Sequence, residues 1–188
     1  MTRSETTKFL SRLLEKSRFS GPGKYWAREV SLDYGYAAGK PRRVDYMQFI
    51  PENQCSISAI EKGIFACYEI KSCKEDIYSG NGLNFIGEKN YLVTTMECYK
   101  EILPDLKNGK FAKHIRENFP ECYAEIGNMG VMVAVPYQRE VAEEFENSTP
   151  LDGDVEKWKL SVAIKCNHNG SRKRSMTELL FCMVRSGR

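Results

Sequence analysis

Long apolar runs are absent from this chain. The longest, Leu179–Val184, has six residues, where roughly 20 are needed to span a bilayer, so no membrane partner is expected. The first eight residues, Met1 to Lys8, hold no apolar stretch of the kind that directs secretion, and a cytoplasmic location is the expectation. Histidine is scarce, with only His114 and His168, and none of the seven cysteines (55, 67, 73, 98, 122, 166 and 182) forms a Cys-x-x-Cys pair. A structural zinc site usually needs two closely spaced ligand pairs, so the cysteines read as reduced thiols in a reducing compartment. Without secretion the sequons at Asn147 and Asn169 carry no weight. Neither sign of charge dominates: charged residues make up 28% of the chain and apolar ones 41%, which excludes disorder.

What is present fits one domain over residues 1–188, with a basic C-terminal extension from about 167. Thr2-x-x-Glu5 has the form of a capping box ahead of a helical stripe, Phe9, Leu10, Leu13 and Leu14, which Ser20-Gly-Pro-Gly23 ends. Alternation predicts a strand over 24–34; after the turn 37–41 a second strand runs over 43–50, and after the turn 51–54 a third over 64–72, rich in β-branched and aromatic residues. A short helix over 74–79, a strand over 89–96 and helices over 97–106 and 110–118 follow, with Pro104 and Asn108-Gly109 as interruptions. Gly130–Val135 is a continuous apolar run of the kind buried on both faces of a sheet. An acidic helix over 138–147, a strand over 158–166 and a helix over 175–185 complete an α/β chain. Three early strands suit an antiparallel meander, and the later alternation suits crossovers in a mixed sheet.

The net charge of +3 conceals a pattern. Residues 1–50 carry ten Lys/Arg against five Asp/Glu, residues 51–150 ten against sixteen, and residues 151–188 eight against four. Basic ends around an acidic middle suit a polyanion, because clustered cations gain affinity by releasing counterions from phosphates. The acidic middle also suits a basic protein partner.

Three charged residues stand inside otherwise apolar strands, where a solvated face explains them poorly. Glu69 and Lys71 are two apart in Tyr68-Glu-Ile-Lys71 and so share a strand face, with Ile70 on the other. If the second and third strands are neighbours, Asp45 of Val44-Asp-Tyr46 enters the same volume. Two carboxylates and an ammonium are costly to bury together without a ligand. Both carboxylates are hard donors suited to Mg²⁺, which commonly takes only one or two protein carboxylates. A lysine beside such an ion can orient a water and favour its deprotonation, so the set reads as a phosphodiester-hydrolysis site.

Asp45, followed after 23 intervening residues by Glu69-Ile70-Lys71, resembles the PD-(D/E)xK nuclease signature, with Val44 where the proline of that name would stand. Arg43-Val-Asp45, Tyr68 to Asp76 and Tyr91-Leu-Val93 are similar to the MmcB-related DNA-repair proteins. The resemblance covers about residues 24–136. It implies a restriction-endonuclease-like mixed central sheet flanked by helices, with an αβββαβ core. It also implies Mg (or Mn) as cofactor, DNA as partner and a homodimer as the candidate assembly. Asp45 and Glu69 would be metal ligands with the Ile70 carbonyl as a third, Lys71 the catalytic lysine, and Glu29, in preference to Glu15, an added catalytic acid. The function implied is DNA phosphodiester hydrolysis in repair, restriction or mobile-element contexts. The alternative is a catalytically inactive DNA-binding repair accessory of the same fold.

Arg43 and Lys89 at strand starts, and Arg172-Lys173-Arg174 in a polar loop, are the candidate nucleic-acid contacts. Gly80-Asn-Gly82-Leu-Asn84 reads as a turn able to approach DNA, and Asp76 as a residue able to reach back toward Lys71. His114 reads as a packing or surface residue.

Overall fold

The structure is a computed structural model that describes residues 1–33, 42–120, 129–167 and 171–186. The turn 37–41, Tyr34, Tyr36, Cys122, His168, Asn169 and Arg188 lie outside the described residues. Helix α1 (Arg3–Leu14) starts at the capping box: Glu5 N–H donates to the Thr2 hydroxyl, and Thr2 N–H to the Glu5 carboxylate. A π-helical turn, Glu15–Phe19, follows. Then come β1 (Tyr25–Ser31), β2 (Arg43–Ile50), α2 (Ile57–Glu61), β3 (Ile64–Lys71), α3 (Lys74–Ile77), β4 (Lys89–Thr94), α4 (Met96–Lys107) and α5 (Lys110–Asn118). The chain ends with β5 (Gly130–Pro136), α6 (Val141–Glu146), β6 (Trp158–Ile164) and α7 (Met176–Ser186).

The six strands lie in sequence order in one mixed sheet. Strands β1, β2 and β3 form an antiparallel meander, β3, β4 and β5 are parallel, and β6 returns antiparallel. The parallel pairs need crossovers, which α3 and then α4 with α5 provide. On one face Phe9, Leu10, Leu13 and Leu14 of α1 bury against Tyr46, Ala66, Tyr68, Ile70, Val93 and Met132. On the other, Ile77, Met96, Tyr99, Ile102, Phe111, Ile115, Leu179 and Cys182 cover Met47, Phe49, Phe65, Cys67, Leu92 and Val133. The chain is therefore an α/β protein of three layers. Among the described residues no helix is long and apolar enough to cross a membrane.

One element was not expected, and two local expectations need correction. Ile57–Glu61 is a helix, started by the Ser56 hydroxyl accepting from Ala59 N–H, although five residues are too few to show a period. Pro104 lies inside α4 instead of ending it. Its ring is exposed, so the Lys100 carbonyl that loses an N–H partner can turn to water. In β1 the buried residues are Ala27 and Val30, three apart, because Glu29 takes φ +55° and interrupts the pleat.

Candidate metal centre

The β2–β3 ladder aligns Tyr46 with Tyr68, which sets Asp45 across from Glu69. In β1, Arg28 faces Tyr46 and Val30 faces Val44, so Glu29 stands level with Asp45. Three acidic residues thus lie in one row across three strands. The β2–β3 ladder ends one pair before this row, at Tyr46 and Tyr68. Ile70 N–H, level with Val44, donates at 2.8 Å to the Asp45 Oδ2 carboxylate oxygen. A side chain takes over the strand pairing where the two strands part.

Glu69 is fully buried and Lys71 is 5% exposed. Both project from the face that carries Phe65 and Cys67, while Ile70 packs on the other face with Tyr68. Loop 80–84 closes over them. Glu69 Oε1 accepts from Asn84 N–H at 2.9 Å, and Lys71 Nζ donates to the Asn81 carbonyl at 2.7 Å. The Asn84 amide donates to the Arg43 carbonyl at 2.9 Å and ties the loop to the start of β2. Gly82 has φ +61°, and a Cβ there would stand 3.3 Å from Lys71 Nζ and 3.5 Å from Glu69 Oε2. The loop backbone therefore rests directly on the pair, in a conformation that glycine takes without strain.

Glu69 Oε2 is buried with no hydrogen-bond partner. Burial first, and the adjacent Asp45 carboxylate second, push the Glu69 carboxyl well above its usual range. Asp45 is raised as well, chiefly by burial and also by Glu29, against the opposing Ile70 N–H and Lys71 ammonium. An orphaned carboxylate oxygen beside a second carboxylate is the environment a hard cation relieves. The donor set fits Mg²⁺ or Mn²⁺: Asp45 and Glu69 supply two carboxylates, and the Ile70 carbonyl lies between Glu69 and Lys71 in the chain. Among the described residues no three His, Cys, Asp or Glu side chains cluster to hold an ion by themselves. The remaining coordination would fall to backbone and solvent.

The other predicted residues are placed as follows. Glu29 pairs with Arg43 at 2.6 Å, and both side chains are more than half exposed. Glu15 is on the opposite face of the sheet, where it accepts from the Tyr46 hydroxyl at 2.6 Å, so Glu29 is the acid near Asp45. Asp76 reaches back as expected: it lies 4.0 Å from Lys71 Nζ and also pairs with Arg3 at the start of α1. His114 is half-buried and edges against Tyr78 at 4.8 Å, and burial lowers its pKa.

Lys89 does not face this site. It pairs with Ala66, and the pleat sets it on the side of Tyr91 and Val93, opposite Glu69. Nor is the basic tract a free loop. Arg172 pairs with Glu88 at 3.4 Å, Lys173 N–H donates to the Ile86 carbonyl, and Arg174 pairs with Asp33 at 2.6 Å and Glu178 at 2.7 Å. These residues fasten the approach to α7 onto the body of the protein, and Leu179, Cys182 and Met183 enter the core. Sequence reasoning named Asn84 only as part of a turn and missed its two contacts, which hold the loop in place. The glycines flanking Asn81 were the only visible signal of a backbone made to lie close to something. The chain matches no known family model, no curated protein and no solved structure.

Proposed function

We propose that this chain is a divalent-metal-dependent phosphodiesterase acting on DNA, of the PD-(D/E)xK type with a restriction-endonuclease-like core. The observation that carries the reading is the orphaned, fully buried Glu69 Oε2 beside Asp45, with Lys71 on the same strand face. The order α1-β1-β2-α2-β3-α3-β4 supports the αβββαβ core of that superfamily, with the five-residue α2 added between β2 and β3. Asp45, Glu69 and the Ile70 carbonyl would hold Mg²⁺ or Mn²⁺. When bound, such an ion supplies Lewis-acid stabilisation of the charge that develops on the phosphate. Lys71 orients the attacking water and favours its deprotonation, since an ammonium stabilises a nearby hydroxide. Asp76 and the Asn81 carbonyl hold the Lys71 side chain toward the carboxylates. Glu29, exposed and level with Asp45, is placed to bear on the solvent side.

One observation favours a second reading, a DNA-binding repair accessory without turnover: the loop through Gly82 and Asn84 covers Glu69 and Lys71. Incubation of single- and double-stranded DNA with the protein in Mg²⁺, Mn²⁺ or EDTA separates the two. Metal-dependent cleavage that disappears in both Glu69→Ala and Lys71→Ala supports the nuclease. Salt-sensitive binding with no cleavage supports the accessory. Neither cleavage nor binding overturns both.

A further inference from the structure

Helix α1 begins at Arg3 because Thr2 and Glu5 close the capping box, and Phe9, Leu10, Leu13 and Leu14 fix the helix against the sheet. Arg3 therefore stands in the first turn, where the helix dipole opposes a cation. Its guanidinium reaches Asp76 in α3, 73 residues away in the chain, and donates to the Oδ1 oxygen. Asp76 is its one hydrogen-bond partner among the described residues. Lys71 Nζ lies 4.0 Å from that same Oδ1 atom. Two cations thus share one acceptor, and they differ in their access to solvent. The Arg3 side chain is 60% exposed and that of Asp76 15%, while Lys71 is buried.

The series continues inward to the acidic pair. The point where a Gly82 Cβ would stand is 3.3 Å from Lys71 Nζ and 3.5 Å from Glu69 Oε2. From the orphaned oxygen outward, charge alternates through Glu69, Lys71, Asp76 and Arg3, and exposure rises at every step. Helix stability does not account for the outermost member, since an exposed ion pair contributes little and the dipole disfavours it. Lys71 is held by burial, whereas Arg3 can leave Asp76 at small cost. A guanidinium fork bonds two oxygens of a phosphodiester at once, a better partner than a shared carboxylate oxygen.

We infer that Arg3 is a substrate-contact residue of the metal centre, which exchanges Asp76 for a backbone phosphate and leaves Asp76 to Lys71 alone. The inference rests on the reading of the acidic pair as a site that acts on DNA. Contact with the backbone and the hold on the lysine are then linked through one oxygen atom. The pair could otherwise serve only to tether α1 to α3, and the two roles separate by sign. Arg3→Gln and Asp76→Asn break the same ion pair, so loss of a tether moves DNA binding the same way in both. Exchange moves it in opposite ways: Arg3→Gln removes a phosphate contact, whereas Asp76→Asn frees Arg3 and removes a negative charge.

A short labelled single strand and its duplex are titrated with the full chain in EDTA across a salt series. Fluorescence anisotropy is the readout, and melting temperature is recorded for each variant. Arg3→Gln is expected to weaken binding about tenfold at low salt and to reduce the slope of log affinity against log salt by about one. Arg3→Lys should restore the slope, and Asp76→Asn should bind as tightly as the wild-type protein or more tightly. In Mg²⁺, cleavage should fall through KM in Arg3→Gln and through kcat in Asp76→Asn. If binding needs the metal, KM across the same salt series gives the slope. The Arg3 variants decide the matter if Asp76→Asn does not fold, because the Arg3 side chain is mostly exposed. An unchanged slope in Arg3→Gln, or weaker binding in both Arg3→Gln and Asp76→Asn, overturns the role of Arg3 and leaves the metal centre standing where the wild-type protein cleaves DNA. A wild-type chain that neither binds nor cleaves DNA overturns it together with the reading on which it rests.

Discussion

Replacing Glu69 by Gln tests whether the acidic pair is held under strain. The amide oxygen can still accept from Asn84 N–H, now at 2.9 Å, while the new NH₂ replaces the orphaned Oε2 and can donate to Asp45. A like-charge contact becomes a hydrogen bond. Leaving a buried charged acceptor unmatched costs about 1–3 kcal/mol, so in EDTA at pH 8 the variant should be more stable by that amount, roughly 2–10 °C in melting temperature. The sign reverses the usual behaviour of carboxylates. Because the folded pKa of Glu69 is raised, its contribution is fully present below the unfolded value near 4.5 and is lost as pH climbs through the folded one. Asp45 acts in the same direction. The lowered carboxyls of Asp33, Asp105 and Asp152 lose their contribution only at more acid pH, outside this window. The lowered pKa of His114 adds stability with rising pH, but equally in both proteins. Urea denaturation in EDTA at pH 5 and pH 8 therefore isolates the pair. The gain should be large at pH 8 and small at pH 5, and Mg²⁺ should stabilise only the wild-type protein. A Gln variant less stable than wild type by the same amount at both pH values would refute the reasoning.

Lys71→Met removes the ammonium that faces the buried Glu69 and the half-buried Asp45 carboxylates, and a loss of about 3–5 kcal/mol is expected by urea denaturation at pH 8. Adding Glu69→Gln in the same chain should recover part of it. Arg174→Ala should lower stability by about 1–3 kcal/mol through loss of Asp33 and Glu178, with DNA affinity unchanged in a filter-binding assay. Among the described cysteines, Cys55 is exposed while burial pushes the Cys98 thiol up to about 12. A thiol-reactive dye at pH 8 should label Cys55 in a fast phase that Cys55→Ser removes, and Cys98 only on unfolding.

The order of elements was readable because each boundary carries a local cause. Thr2 and Glu5 start α1, Ser20-Gly-Pro-Gly23 stops the segment after it, and β-branched and aromatic content marks β3. The facing of Glu69 and Lys71 was readable for the same reason, since a pleat has a period of two. Contacts between distant segments were not. Arg43 and Asn84 are 41 residues apart in the chain, and nothing local to either announces their bond. Three adjacent basic residues at 172–174 look like a solvated grip until Glu88, Asp33 and Glu178 arrive from other elements. Glu29 deceived for a third reason: its alternating neighbours predict an even strand, while its backbone leaves the β region and turns the rest of β1 over.

How two carboxylates come to be held face to face is answered on the other side of the same strands. Asp45 is followed by Tyr46, and Glu69 is preceded by Tyr68, so the pleat that aims the acids one way aims both tyrosines the other. There Phe19 stacks on Tyr46 at 5.7 Å and on Trp26 at 4.8 Å, and meets the edge of Tyr68 at 5.6 Å. Aromatic pairs of this kind contribute about 0.5–1.5 kcal/mol each beyond the area they bury, enough together to offset a repulsion of the size derived for Glu69. The Tyr68 hydroxyl is fixed by Gln48 at 3.1 Å and that of Tyr46 by Glu15, so neither strand can rotate to relieve its acid without breaking a buried bond. The acids are thus held in place from behind, by a layer that touches neither of them.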